Sequence, residues 1–257
     1  MADHRDNAAM GSNISLQGLG AAQDVLERGS QRRYSRLRVT AVIVQLSGVN
    51  FTTSACNGLV VVGLPAMTKS LSLPSSLAFW PSSVSSLTTA STLLLAGSIA
   101  DAIGPRWVDI LGCLACGLVM IGAGLARTGE ELVAMRAISG VGLAMHLASS
   151  VSITTTVLAQ GRGRNIAFGC LGLSQVLGFS FGLVIGGLLV ESLGWRAGWH
   201  LYGGITVFFA LVGIWGVPKS PEKGRGKQRL EGLKKGVDWV GAGLASTFMA
   251  TLCYMLA

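Results

Sequence analysis

The chain has 257 residues, of which 50% are hydrophobic and only 12% are charged, and its formal net charge is +8. Soluble domains carry about 25% charged residues, so this composition excludes an ordinary water-soluble globule. The 36 glycines are about twice the average share and are typical of membrane helices, whose backbones approach closely at small residues. The sequence therefore predicts an all-α polytopic membrane protein.

The predicted elements begin with a polar segment, residues 1–38, that ends in a basic run. This composition predicts a disordered, basic cytoplasmic tail that binds lipid rather than nucleic acid. Apolar segments long enough to cross a bilayer follow it. They predict six spans within 39–217, a basic cytoplasmic loop over 218–236 and a seventh span over 237–257. The predicted spans are 39–63, 80–100, 107–126, 132–158, 166–190, 201–217 and 237–257.

The distribution of Lys and Arg predicts the orientation of these spans. With a cytoplasmic N-terminus, the inside segments 1–38, 101–106, 159–165 and 218–236 hold 6, 1, 2 and 7 basic residues, which gives 16. The outside segments hold 3, namely Lys69, Arg127 and Arg196. Basic residues accumulate on the cytoplasmic side of membrane proteins. We therefore expect the N-terminus inside and the seventh span to end outside.

Cysteine and histidine do not indicate chemistry in this sequence. All five cysteines lie in apolar runs, and the pair Cys113 and Cys116 forms a CxxC inside span three, where packing explains it better than a redox or metal role. The histidines occupy a tail, a span and a loop, so no ligand cluster is visible. Catalytic triad and phosphate-loop patterns are also missing from the sequence. We expect a protein that is not an enzyme and has no metal site.

Three short motifs interrupt the apolar pattern. The stretch GSIADAIGPR, between spans two and three, contains Gly97, Asp101, Gly104 and Arg106 and predicts a tight cytoplasmic loop in which Asp101 pairs with Arg106 or a helix N-terminus. Alternatively, it is an ordinary basic loop with an incidental acid.

Span four carries the second motif, Arg136 followed by Gly140, Gly142 and Ala144. An arginine inside a span needs a buried partner or a wet cavity, unless it reaches back to the interface.

The third motif is a row of glycines in span five: Gly178, Gly182, Gly186 and Gly187. The first three are spaced i, i+4, i+8 and make a flat strip for close helix contact, as in any tight helix–helix interface.

In this order, the three motifs resemble the signatures of the major facilitator superfamily. The loop motif lacks two of the basic residues of the family pattern, because Ala102 and Pro105 take their places, and Leu183 replaces the proline of the span-five antiporter motif. Gly194-Trp-Arg196 and Val237–Gly241 resemble segments of the fungal branch of fourteen-span drug:proton antiporters. Cys56 stands where many of these antiporters have an acid in span one.

The resemblance implies the N-terminal six-helix half of a transporter plus one further span. It implies proton-coupled efflux of small organic molecules, such as drugs or secondary metabolites, with the proton gradient instead of a cofactor. The expected location is the plasma or vacuolar membrane. Without an acid in span one, the candidates for the coupling carboxylate are Asp109 and Glu191, although both fit an interfacial structural role better. Polar span residues that could line a substrate cavity, or simply bond neighbouring helices, are Gln45, Asn50, Asn57, His146 and Gln175.

A complete member of this family has two halves, and alternating access moves one against the other. The sequence contains no internal repeat that could provide the second half. Two interpretations follow: a fragment of a full exporter, or a product that pairs with a copy of itself or with another half, for which the span-five glycines offer a surface. A non-transporting remnant or a modulatory partner of a full-length transporter is the alternative function.

Overall fold

A computed structural model describes residues 34–74, 77–217 and 239–256. Seven helices occupy these residues, all of them in the compact unit Arg36–Ala257. The predicted tail, apart from its last residues, and the predicted loop 218–236 lie outside the described part. The helices are α1 Arg36–Ser70, α2 Trp80–Ile103, α3 Pro105–Leu125, α4 Gly129–Val157, α5 Arg162–Ser192, α6 Trp195–Gly216 and α7 Trp239–Leu256.

The all-helical class predicted from composition is confirmed, since the described residues contain no strand. Six helices, α1 to α6, are long and apolar enough to cross a membrane. The seventh predicted span is helical over the 18 residues of α7, and that it crosses the bilayer stays a prediction. The molecule is a multi-pass helical membrane protein.

Several helices extend well beyond the predicted spans. The largest difference is in α1, which has 35 residues instead of the expected stretch 39–63 and continues through Pro65. At 1.5 Å per residue, α1 is about 52 Å long, whereas the hydrocarbon core is about 30 Å thick. Hydropathy locates only the part of a helix that lies in lipid. Backbone hydrogen bonds continue into the polar region beyond it.

Local sequence explains where the helices begin. Thr128 caps α4 by accepting a hydrogen bond from the Glu131 N–H, and the Glu131 carboxylate accepts from the Thr128 N–H, which completes a capping box. Gly194, with φ of 85°, turns the chain from α5 into α6 within two residues. Apart from α3 and α4, the helices that pack most closely are nevertheless not consecutive in the chain.

The packing order determines which faces remain open. Helix α1 packs against α5 and α6, helix α3 against α4 and α6, and helix α2 against α4 and α7. The largest core cluster joins α1, α3, α4 and α6 around Leu59, Met120, Leu132 and Trp199. As a result, α1, α2, α4 and α5 surround a groove on one side of the bundle.

Candidate functional site

The break between α2 and α3 is shorter than the predicted loop over 101–106. Helix α2 continues to Ile103, so Asp101 lies in its last turn, and Gly104 alone separates it from α3. Gly104 has φ of 110°, a backbone conformation that favours glycine, and its N–H donates to the Ala100 carbonyl at 2.9 Å. Pro105 then begins α3, where a missing N–H is tolerated. The motif forms a one-residue reversal.

The two charges of this motif point to different places. The Arg106 Nη2 donates to the carbonyl of Ile214 in α6 at 2.8 Å, and its guanidinium lies 6.0 Å from the Trp107 ring centroid. Within the ranges that the structure describes, no ion pair joins Arg106 to Asp101. Asp101 and Gly97 instead line the groove. Arg106 therefore fastens α3 to α6, and Asp101 is left on an open face.

Arg136 is enclosed within the bundle, with 2% of its surface exposed. Its Nε donates to the Pro81 carbonyl at 2.9 Å and its Nη2 donates to Asn57 Oδ1, also at 2.9 Å. The guanidinium also lies 5.7 Å from the Trp199 ring centroid. The interpretation in which Arg136 reaches back to the interface is therefore wrong. This side chain links α4 to α1, α2 and α6.

The glycines after Arg136 allow α4 to touch two neighbours. A Cβ on Gly140 would collide with Thr88 Oγ1 and the Ser85 carbonyl of α2. A Cβ on Gly142 would lie 2.9 Å from the Gly112 carbonyl of α3, closer than carbon and oxygen normally approach. The span-four motif thus serves close packing on both sides of α4.

The span-five glycine strip packs against α1 of the same chain. Cβ atoms on Gly178 and Gly182 would collide with the carbonyls of Phe51 and Ala55, and one on Gly186 would lie 2.9 Å from the Leu59 Cα. Gly187 is not part of this contact, because a Cβ there would meet only Val62 at 3.7 Å. The expectation that this strip offers a surface for a second half or a copy is wrong: α1 covers it.

The groove between α1, α2, α4 and α5 encloses about 540 Å³. Two of the predicted lining residues, Asn50 and Gln175, lie on it. The structure places the other three inside the bundle, where Asn57 bonds Arg136 and where Gln45 and His146 bond Asp109. The groove is lined by Asn50, Leu93, Gly97, Asp101, Leu147, Ala148, Ser150, Val151, Ser152, Phe168, Leu171, Gly172 and Gln175.

A second polar group lies at the junction of α1, α3 and α4. Asp109, His146 and Cys113 are each 0% exposed. The Asp109 Oδ1 lies 2.7 Å from His146 Nδ1, and the Gln45 Nε2 donates to Asp109 Oδ2 at 3.2 Å. Asp109 is thus enclosed by its neighbours, whereas Glu191 is exposed in the last turn of α5, and the interfacial structural role expected of both stays a prediction. We name Gln45, Asp109, Cys113 and His146 the buried polar cluster.

The sequence did not predict that this cluster assembles. Asp109 and Cys113 are spaced i, i+4, which places them on one face of α3, and this spacing was the available signal. His146 belongs to another helix, and the contact that unites them is tertiary.

A helical bundle with a side groove, a buried arginine in α4 and glycine-mediated contacts is consistent with one half of a membrane transporter. The family model of the Major Facilitator Superfamily matches residues 46–256. The chain belongs to this superfamily, which confirms the family predicted from the three motifs.

Relatives in fungi and bacteria are similar to the chain over part of their length. MFS-type transporter 1 of Pyricularia oryzae is 34% identical over 92% of the chain and 43% of its own length. The puromycin resistance protein of Streptomyces alboniger is 33% identical over 66% of the chain and 34% of its own length. The cephamycin export protein of Amycolatopsis lactamdurans is 28% identical over 75% of the chain and 40% of its own length. The chain thus spans less than half the length of these relatives.

Proposed function

We propose that the chain is the substrate-binding N-terminal half of a proton-driven exporter of small organic molecules. The groove between α1, α2, α4 and α5 is the observation that carries this proposal. Its volume of about 540 Å³ lies within the range of about 300–1,000 Å³ that small-molecule sites occupy. The plasma membrane, with the N-terminus in the cytoplasm, is the location we propose for it.

The chemistry of the groove favours amphipathic, largely uncharged substrates. The side chains of Leu93, Phe168 and Leu171 form an apolar wall of the groove. Asn50 and Gln175 place amide groups at the same surface. A few polar groups in an apolar pocket fix the orientation of a ligand, and Asp101 is the one charged side chain among the lining residues that the structure describes. The names of relatives, which include resistance to puromycin and to methylenomycin A and export of cephamycin, support drugs or secondary metabolites as the substrate class.

Transport itself requires a partner for this groove. In this fold, substrate binds near the midplane between two halves that rock against each other. We propose that a second half, or another copy of the chain, covers the groove side and completes the cavity. The span-five glycines do not take part, because α1 already covers them.

Substrate binding is tested with the purified chain and an amphipathic fluorescent dye whose emission changes on binding. We expect saturable binding, which Gln175→Leu weakens about tenfold because one net hydrogen bond of about 1.4 kcal/mol is lost. The matched control is Val176→Leu, since Val176 is the next residue of α5, is 66% exposed and does not line the groove. Equal affinity in wild type and Gln175→Leu would refute the groove as the binding site.

Transport is tested in liposomes that carry a pH gradient. Dye accumulation that collapses with the gradient supports autonomous, proton-driven transport by copies of the chain. Dye binding without accumulation, in a sample that melts cooperatively, supports the alternative of a modulatory partner or non-transporting half.

A further inference from the structure

The buried polar cluster brings three ligand-type atoms to one point. The Asp109 Oδ1 lies 2.7 Å from His146 Nδ1, the Cys113 Sγ lies 3.2 Å from the same nitrogen, and Sγ and Oδ1 are 3.8 Å apart. The three residues are fully buried and come from two helices. None of them lines the groove that we propose for substrate.

Hydrogen bonds alone satisfy this arrangement poorly. If His146 Nδ1 carries a proton, that proton points to Asp109 Oδ1 at 2.7 Å, and Cys113 Sγ then faces an N–H that is already committed. If the ring nitrogen is bare, the Cys113 thiol can donate to it at 3.2 Å, but the carboxylate oxygen of Asp109 then faces the same nitrogen at 2.7 Å with no proton between them. In the first case, the thiol has only the long 3.8 Å contact to Asp109 Oδ1 as an acceptor. One divalent cation would satisfy all three atoms together.

The dimensions of the cluster match a transition-metal ion. The point equidistant from atoms separated by 2.7, 3.2 and 3.8 Å lies about 1.9 Å from each of them. Zinc binds nitrogen and oxygen at about 2.0–2.2 Å and thiolate sulfur at about 2.3 Å. A zinc ion slightly above the plane of the three atoms therefore needs only small side-chain shifts.

Charge and ligand type point to the same class of ion. A divalent cation with one carboxylate, one thiolate and one neutral imidazole is electrically neutral, which suits a fully buried position inside an apolar bundle. Thiolate and imidazole select zinc-class metals over magnesium and calcium, which prefer oxygen ligands.

Gln45 provides a fourth group from α1. Its Nε2 lies 3.2 Å from Asp109 Oδ2 and 4.0 Å from Cys113 Sγ, while its Oε1 is buried without a hydrogen-bond partner. Rotating the amide by a half turn exchanges oxygen and nitrogen. The rotation would place the unpartnered oxygen 3.2 Å from Asp109 Oδ2 and 4.0 Å from Cys113 Sγ, where it can move in as the fourth ligand that zinc requires.

We propose that Asp109, Cys113 and His146 bind a zinc-class divalent cation, with the Gln45 carbonyl oxygen as fourth ligand. The bound ion joins α1, α3 and α4. Asp109 lies four residues after the first residue of α3, about 6 Å along the helix axis. The site therefore lies near the end of the bundle that the charge distribution predicts to be cytoplasmic.

The test titrates Co²⁺ into the tag-free, full-length chain purified in detergent with chelator and then freed of it. Cobalt is a spectroscopic substitute for zinc, and its bond to a thiolate gives a charge-transfer band in the near ultraviolet. We expect saturation at one Co²⁺ per chain, displacement by Zn²⁺, and no displacement by excess Mg²⁺ or Ca²⁺. We also expect Zn²⁺ to raise the melting temperature of the chain, because it binds the folded state.

Variants locate the site. Cys113→Ser should abolish the charge-transfer band, and Asp109→Asn and His146→Gln should each weaken binding about 100-fold or more, the upper end of what loss of a supporting residue costs. The matched control is Cys116→Ser, because Cys116 is also buried in α3 but has no place in the cluster. It should keep both the band and the Zn²⁺-dependent rise in melting temperature.

Two results would overturn the proposal. One is a chain that melts cooperatively but binds no Co²⁺ or Zn²⁺ in a saturable way, which would leave the cluster as a hydrogen-bonded link between helices. The other is binding that persists unchanged in Cys113→Ser, Asp109→Asn and His146→Gln, which would place the metal elsewhere. Mass spectrometry of the chain under native conditions gives the metal content independently of the spectrum.

Discussion

Arg136 is a charged side chain whose partners are all neutral. The Pro81 carbonyl and the Asn57 amide oxygen accept its hydrogen bonds, and the Trp199 ring contributes a π face. The resemblance places Cys56 where many fourteen-span antiporters have an acid, and here that position holds a buried thiol. The guanidinium is thus stabilised by dipoles and a ring instead of an ion pair. Its planar fork of donors matters more than its charge.

From this geometry we predict that Arg136→Lys is destabilising although the charge is kept. A lysine ammonium is a compact donor that cannot reach the Pro81 and Asn57 oxygens together as the fork does. Leaving one buried acceptor unpaired lowers the free energy of unfolding by about 1–3 kcal/mol. The measurement is the thermal melting of both proteins in the same detergent.

Arg127→Lys is the matched control for this substitution, because Arg127 is exposed in the α3–α4 connection and bonds Glu131 through its backbone N–H, which the substitution keeps. It should melt like wild type. An Arg136→Lys chain that also melts like wild type would show that the fork geometry contributes nothing.

At the scale of elements, the contact between α1 and α5 depends on missing side chains. Gly178, Gly182 and Gly186 let the α5 backbone lie directly on Phe51, Ala55 and Leu59 of α1. In lipid, helices associate through such close packing, since burial of apolar surface from water is not available as a driving force. The two helices therefore form a rigid pair along one wall of the groove.

We predict that Gly182→Ala separates this pair and lowers the melting temperature. A methyl group there collides with the Ala55 carbonyl, so the helices must move apart, at a cost of about 1–3 kcal/mol for overpacking. Gly169→Ala on the same helix is the control, because a Cβ at Gly169 meets nothing within 4 Å. It should be neutral or stabilising by up to about 1 kcal/mol, since alanine is the better helix former. Equal melting of the two variants would contradict this role of the strip.

The limits of prediction from sequence lie at the same scale. Period and composition predict helices and place Gly178, Gly182 and Gly186 on one face, because that spacing is a property of a single helix. They do not identify the helix opposite, so from the sequence alone the strip fits an external partner as well as a neighbouring helix of the same chain. The buried polar cluster cannot be predicted from the sequence for the same reason. Asp109 and His146 are 37 positions apart, and only packing between α3 and α4 brings them together. The burial of Arg136 with partners can be expected from the sequence, since a charged side chain inside a span requires hydrogen-bond partners.

At the scale of the whole molecule, two asymmetries describe the chain. One is spatial: the groove opens between α1, α2, α4 and α5, while the α1–α5 face is closed by glycine contacts. The other is electrical: 16 basic residues belong to the segments predicted inside and 3 to those predicted outside. The open groove supports the side of the bundle on which it lies as the surface for a second half. The charge distribution predicts which end of the groove faces the cytoplasm.

Labelling of single cysteines in intact cells tests the predicted orientation. In a background without the five native cysteines, Glu130→Cys reports the α3–α4 end of the bundle and Gln160→Cys the α4–α5 end, and both residues are exposed. Because Lys and Arg in short loops are retained on the cytoplasmic side during insertion, a membrane-impermeant maleimide should label Glu130→Cys in intact cells. It should label Gln160→Cys only after permeabilisation, which also serves as the control that both thiols react. The opposite pattern would invert the orientation and assign the Asp101 end of the groove to the outside of the membrane.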